Sequence, residues 1–119
     1  MADKITIFHN PRCSKSRQTM ELLTEKSIQP EVIEYLKTPP DYKTLDSILT
    51  MLKIEPRELM RKGEVEYKEN LLDDDSLTRK QLIEALVKFP KLLERPIVIH
   101  NGKATIGRPP EKILDICSF

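Results

Sequence analysis

Two cysteines, Cys13 and Cys117, are all the thiols in this 119-residue chain. That is too few for a disulfide framework, and reduced thiols fit a cytoplasmic protein. An excess of either charge is also missing. The 20 Lys and Arg residues against 19 Asp and Glu leave +1 at neutral pH. Nucleic-acid binding through bulk charge needs a clustered basic excess, so the balance argues against that class. No apolar run approaches the roughly 20 residues of a membrane span. Met1-Ala2-Asp3-Lys4 leads straight into Ile5-Thr6-Ile7-Phe8, without a signal-peptide h-region and cleavage site. No repeat or low-complexity stretch is visible, and the nine prolines punctuate the chain without forming a linker. His9, His100, Cys13 and Cys117 show no close ligand spacing, so no metal site is expected.

What remains is a balanced composition, 33% charged and 39% apolar, which fits one globular domain over residues 1–119. A chain this long buries roughly two thirds of its unfolded surface and needs no covalent staple. Ile5 to His9 reads as a strand, and Asn10-Pro11 as a turn. From Cys13 to Lys26, Cys13, Ser16, Met20 and Leu23 recur at helical spacing. Glu31 to Leu36 reads as a second strand. Thr38-Pro39-Pro40-Asp41 predicts a helix start, with Thr38 as cap, Pro39 first and Asp41 completing a capping box. Leu45, Ile48, Leu49 and Leu52 give that helix a core-facing stripe. Pro56 to Lys62 reads as a short helix stopped at Gly63. Residues 64–75 are polar, with Leu71-Leu72 as an anchor and Asp73-Asp74-Asp75 as a solvated loop.

Thr78 and Gln81 predict a capping box, and Leu77 and Leu82 a hydrophobic staple. Leu82, Ala85, Leu86 and Phe89 form the buried face of the helix they open, and Pro90 ends it. Ile97 to His100, Asn101-Gly102 and Lys103 to Ile106 form a hairpin, because both residues of a type I′ turn need positive φ. Pro109-Pro110 opens a last helix with Ile113, Ile116 and Cys117 on one side. The order is β-α-β, several helices, then β-β-α. The first strand pair is parallel through a right-handed crossover, and the last is antiparallel. The fold class is therefore α/β: a four-stranded mixed sheet with flanking helices. This is the thioredoxin-like arrangement, with a helical insertion at about 39–90 between its two halves.

Cys13 follows a strand and opens a helix. First-turn N–H groups and the helix dipole favour an anion there. Arg12, Lys15 and Arg17 lie close in sequence, and His9 stands at the strand's exit. Each of these lowers a thiol pKa, and the thiolate is the reactive form. The alternative is an inert, buried helical cysteine. Three after Cys13 stands Ser16 in place of a second cysteine, so an outside thiol must resolve any mixed disulfide. A tyrosine-phosphatase loop needs Arg six after the cysteine, where Thr19 stands. Arg61 lies near the end of a short helix, Arg95 precedes Pro96 at a strand's mouth, and Arg108 precedes Pro109. Arg95-Pro96 occupies the place where the thioredoxin fold carries a cis-proline. A guanidinium there can fork onto a tetrahedral oxyanion, although any one of the three could equally face solvent.

His9-Asn10-Pro11-Arg12-Cys13-Ser14-Lys15-Ser16, Thr38-Pro39-Pro40, Leu59-Met60-Arg61-Lys62, Glu94-Arg95-Pro96-Ile97-Val98 and Gly107-Arg108-Pro109-Pro110-Glu111 closely resemble the glutaredoxin-linked arsenate reductase family of bacteria. The match runs over essentially the whole chain, with the motifs in order. Ending soon after its last helix, at Phe119, the chain resembles a shorter, chromosomal branch of that family. The resemblance implies arsenate as substrate and glutathione with glutaredoxin as electron source. It implies Cys13 as nucleophile and Arg61, Arg95 and Arg108 as oxyanion-binding residues. It gives His9 a part in lowering the Cys13 pKa, and Ser16 a hydrogen bond to the thiolate. Two other readings share the fold. One is a general glutathione-dependent thiol reductase, for which three arginines are superfluous. The other is a redox-sensing regulator docking on RNA polymerase, whose relatives carry C-x-x-C and usually lack arginine at the position of Arg108. A catalytically idle domain with an ordinary thiol is the third alternative.

Overall fold

The structure, a computed structural model, describes residues 4–116; the expected place of Cys117 lies outside them. The chain folds as two compact units, one formed by its two ends and the other by Pro39–Glu94.

The first unit holds the sheet. β1 (Ile5–His9), β2 (Glu31–Glu34), β3 (Ile97–His100) and β4 (Lys103–Ile106) lie in the order β2-β1-β3-β4. β1 pairs parallel with β2, while β1–β3 and β3–β4 are antiparallel. Between β1 and β2 runs α1 (Ser14–Glu25). The mixed four-stranded sheet with helical cover is thioredoxin-like, as the element order predicts. The hairpin turn is built as its sequence requires, with Asn101 at φ 52° and Gly102 at φ 73°. β2 stops at Glu34, two residues earlier than expected, because Lys37 and Thr38 turn their N–H groups back to its carbonyl.

Ile5, Ile7, Leu23, Val98 and Ile113 form the core on one face of the sheet, with Met20, Leu22, Ile28 and Ile116 packed against it. Alternation puts Ile5 and Ile7 on the same face of β1, and helical spacing adds Leu23 from α1. Ile113 comes from a 3-10 helix, Pro110–Asp115, where an α-helix was expected. Both Arg95-Pro96 and Arg108-Pro109 are cis peptides, the first of them at the place where the thioredoxin fold carries its cis-proline.

The second unit is helical: α2 (Tyr42–Leu52), α3 (Val65–Glu69) and α4 (Arg79–Lys88), with 3-10 turns at Pro56–Leu59 and Pro90–Leu92. α2 packs on α4, and Leu45, Ile48, Leu49, Leu82, Ile83 and Leu86 are all buried. The capping box of Thr78 and Gln81 is present. Ile83 joins the buried face, while Ala85 and Phe89 are only half-buried.

The start of α2 differs from expectation. Asp41 is itself the N-cap, accepting from the Thr44 N–H at 2.8 Å. A proline drives the preceding residue out of the helical region, so Pro40 bars Pro39 from the first helical position. The segment from Pro56 stops at Leu59, because Met60 turns extended and bridges Leu93. Gly63 therefore caps nothing there. Of the Leu71-Leu72 pair only Leu72 is buried; Leu71 is exposed. Asp73, Asp74 and Asp75 are solvent-exposed, as predicted for a solvated loop.

Candidate active site

The loop from β1 to α1 is fixed by its own backbone. The Cys13 N–H donates to the Asn10 carbonyl at 3.0 Å, and the Asn10 side-chain oxygen accepts from the Arg12 N–H at 3.0 Å. An asparagine before a proline favours such a turn. Cys13 is then the N-cap of α1, in extended conformation at φ −93°, ψ 123°, with its carbonyl accepting the Arg17 N–H. Its side chain makes no capping hydrogen bond, which leaves the first-turn N–H groups open to an anion.

The cysteine is only 8% exposed. Burial pushes its thiol pKa up. The Ser16 backbone N–H, the hydrogen bond and charge of the Arg95 guanidinium, and the Lys15 backbone N–H together outweigh that, so the thiol lies below its ordinary value. The principal cation is thus Arg95, far away in sequence, whereas the neighbouring Arg12 and Arg17 are exposed. Arg17 instead donates to the Pro11 carbonyl at 2.9 Å, bracing the loop. Local sequence proximity misdirects here, because residues flanking a helix start radiate around its axis.

Ser16 is fully buried, and its hydroxyl is already engaged. It lies 2.5 Å from His9 Nδ1 and accepts the Asn10 N–H at 3.0 Å. Its backbone amide, rather than its hydroxyl, is the group that lowers the thiol. The His9 ring is itself less basic than an ordinary histidine, chiefly through burial; Glu34 raises its pKa and Arg17 lowers it. A neutral ring with an open Nδ1 accepts the Ser16 hydroxyl proton, which leaves the oxygen free for Asn10.

Arg108 Nη1 donates to the Arg95 carbonyl at 3.3 Å, so the two arginines adjoin. Among the described residues, Arg95 Nε is a buried side-chain nitrogen without a hydrogen-bond partner. An unsatisfied buried donor on a cation is suited to an incoming anion. Arg61 belongs to the second unit, where Nη1 pairs with Glu64 at 2.7 Å. Beside the Cys13 loop, His9, Asn10, Pro11, Arg12, Glu34, Leu36 and Lys37 line a cleft of about 210 Å³. Among the described residues no three His, Cys, Asp or Glu side chains converge to hold a metal, and no helix is long and apolar enough to cross a membrane.

Sequence reasoning missed one residue behind the loop. Thr19 is fully buried on α1, its hydroxyl donating to the Lys15 carbonyl at 2.9 Å. Its position three after Ser16 on the inner face was the available signal.

A family model described as the ArsC family matches residues 8–116. The chain belongs to the ArsC family. Among relatives, the uncharacterized protein YfgD of Escherichia coli K12 is 55% identical over 117 residues, covering 98% of each chain. An arsenate reductase of Neisseria meningitidis serogroup A is 50% identical over 111 residues, covering 92% of this chain and 95% of its own. The solved structure of an arsenate reductase from Vibrio cholerae matches with a TM-score of 0.95 at 46% identity, covering 98% of this chain and all of that one. Membership of the ArsC family thus coincides with a buried, acidified thiol at a helix start beside an arginine.

Proposed function

We propose that this protein reduces arsenate to arsenite, with the Cys13 thiolate as nucleophile and glutathione and glutaredoxin as electron donors. The observation that carries the reading is the juxtaposition of Cys13 and Arg95 at the start of α1. One place there favours an ionised sulfur and a negatively charged guest together. The arsenate reductases among the relatives support the choice of oxyanion.

The thiolate attacks arsenic and an arsenate oxygen leaves as water or hydroxide, giving a sulfur–arsenic ester. Arg95 offsets the substrate charge that would otherwise repel an anionic sulfur, and Arg108 extends the same positive surface. Arg61 carries the same assignment from the family resemblance; an oxyanion would compete there with Glu64. Reducing As(V) to As(III) takes two electrons, supplied as two thiols become one disulfide. Ser16 stands where a resolving cysteine would be, so the thiols must come from outside. Glutathione attacks the intermediate, and glutaredoxin completes the transfer and releases arsenite. The cleft beside the loop offers space for that second thiol. His9 and Ser16 act as positioning residues: their contact holds the loop and aims the Ser16 amide at the sulfur.

The test is arsenate reduction coupled to glutathione and glutaredoxin, with a mixed glutathione disulfide assayed in parallel. The wild type is expected to turn over arsenate and Cys13→Ser to be inactive. Arsenate turnover by Cys13→Ser would remove the nucleophile. Wild-type turnover of the mixed disulfide alone would make the protein a thiol reductase instead.

A further inference from the structure

Gly107 is buried and follows β4, immediately before Arg108. Its φ is not in the left-handed region, so conformational freedom does not explain it. Space does. A Cβ at this position would stand 2.7 Å from Thr19 Oγ1, 3.0 Å from Pro96 Cγ and 3.4 Å from Thr19 Cγ2. The first of these is closer than such atoms pack in folded proteins.

Neither neighbour can easily yield. Thr19 is fully buried and its Oγ1 is tied to the Lys15 carbonyl. Turning Oγ1, the atom at 2.7 Å, away from the intruding carbon would give up that hydrogen bond inside the core. Pro96 is a rigid ring, buried, and its carbonyl accepts the Gly107 N–H at 2.9 Å. The next residue adds the second tie, Arg108 Nη1 to the Arg95 carbonyl. Two hydrogen bonds thus strap the Gly107-Arg108 segment onto Arg95-Pro96, and the missing side chain lets that strap lie against α1.

We propose that Gly107 is a positioning residue for the reactive site: its bare backbone lets the Arg95-Pro96 segment close onto α1, which sets the distance from the Arg95 guanidinium to the Cys13 sulfur. Thr19 on the helix side and Pro96 on the strand side are the obstacles that a side chain at 107 would meet. A side chain at 107 wedges strap and helix apart, and Arg95 withdraws from the thiolate. The inference rests on Cys13 as the reacting thiol, but not on arsenate as the substrate.

The test compares wild type, Gly107→Ala, Thr19→Ala and the double variant Gly107→Ala/Thr19→Ala. The readouts are the pH midpoint of Cys13 alkylation and the arsenate KM, with thermal unfolding as a check on folding. Gly107→Ala is expected to raise the alkylation midpoint by about one pH unit, a roughly tenfold loss of thiolate below the midpoint. Its arsenate KM should rise several-fold. Thr19→Ala alone should stay close to wild type in both, since it removes the obstacle without filling the space. The double variant should regain most of the wild-type midpoint. A folded Gly107→Ala with an unchanged midpoint overturns the proposal. If Gly107→Ala does not fold, the double variant decides: recovery of fold and midpoint supports the proposal, and failure to recover either refutes it. A shifted midpoint without arsenate turnover in the wild type would uphold Gly107 and reject the substrate.

Discussion

At the scale of single residues, the fold loosens two protons, one on the His9 ring and one on the Cys13 thiol. Burial lowers the His9 pKa first, Glu34 raises it, and Arg17 lowers it again, so the ring is less basic than an ordinary histidine. In an NMR titration its midpoint should fall below 6.5, the ordinary value. Because the native value is depressed, the stability it confers is lost as pH falls below that ordinary value; a midpoint at or above 6.5 would contradict the effect of burial on the ring. Arg95 acts on the second proton. Arg95→Ala should raise the Cys13 alkylation midpoint and weaken transition-state binding by roughly 3 kcal/mol, about a hundredfold in kcat/KM for arsenate. Unchanged kinetics would mean that Arg95 serves packing only. Cys13 could be singled out from its neighbours in sequence, since a thiol between strand and helix meets the first-turn amides. That its cation is Arg95 and not Arg12 or Arg17 could not, because the partner arrives through tertiary packing.

At the scale of elements, each boundary follows from a local backbone rule. Where a single rule applied, the sequence was sufficient: β1 falls on its short apolar run, and Asn101-Gly102 turns the hairpin that places β3 and β4. Where two rules competed, it was not. Pro40 overrode Thr38 as a cap and handed that role to Asp41. Met60 left its helix to pair with Leu93, a tertiary bridge that no local pattern announces. The capping box at α4 is intact, with Thr78 accepting from the Gln81 N–H at 3.2 Å and Gln81 from the Thr78 N–H at 2.8 Å. Thr78→Ala should therefore cost about 1 kcal/mol in urea unfolding. Leu86→Ala, on the buried face of the same helix, should cost more, roughly 2–5 kcal/mol. The reverse ranking would mean that α4 is held by its cap and not by its packing on α2.

For the whole molecule, the sheet order β2-β1-β3-β4 does the decisive work, since it sets β1 and β3 side by side. The loop after β1 carries Cys13 and the segment before β3 carries Arg95, so neighbouring strands deliver both partners to one end of the sheet. That coupling makes the thiol's acidity a property of the folded state. A thiol depressed in the native state stabilises the fold fully above its unfolded pKa, and that contribution is lost as pH falls through the native value. The stability difference between wild type and Cys13→Ala should therefore shift in favour of wild type as pH rises through the native thiol pKa toward the unfolded one. A difference independent of pH would place the thiol in an ordinary setting. The most direct measurement is the pH midpoint of Cys13 alkylation, read by mass on the Cys13 peptide, in native buffer and in denaturant. The expected result is a native midpoint clearly below the denatured one, which should lie near the ordinary value of roughly 8.5. A native midpoint equal to or above the denatured one would contradict the central claim that the fold holds Cys13 as a thiolate for an oxyanion.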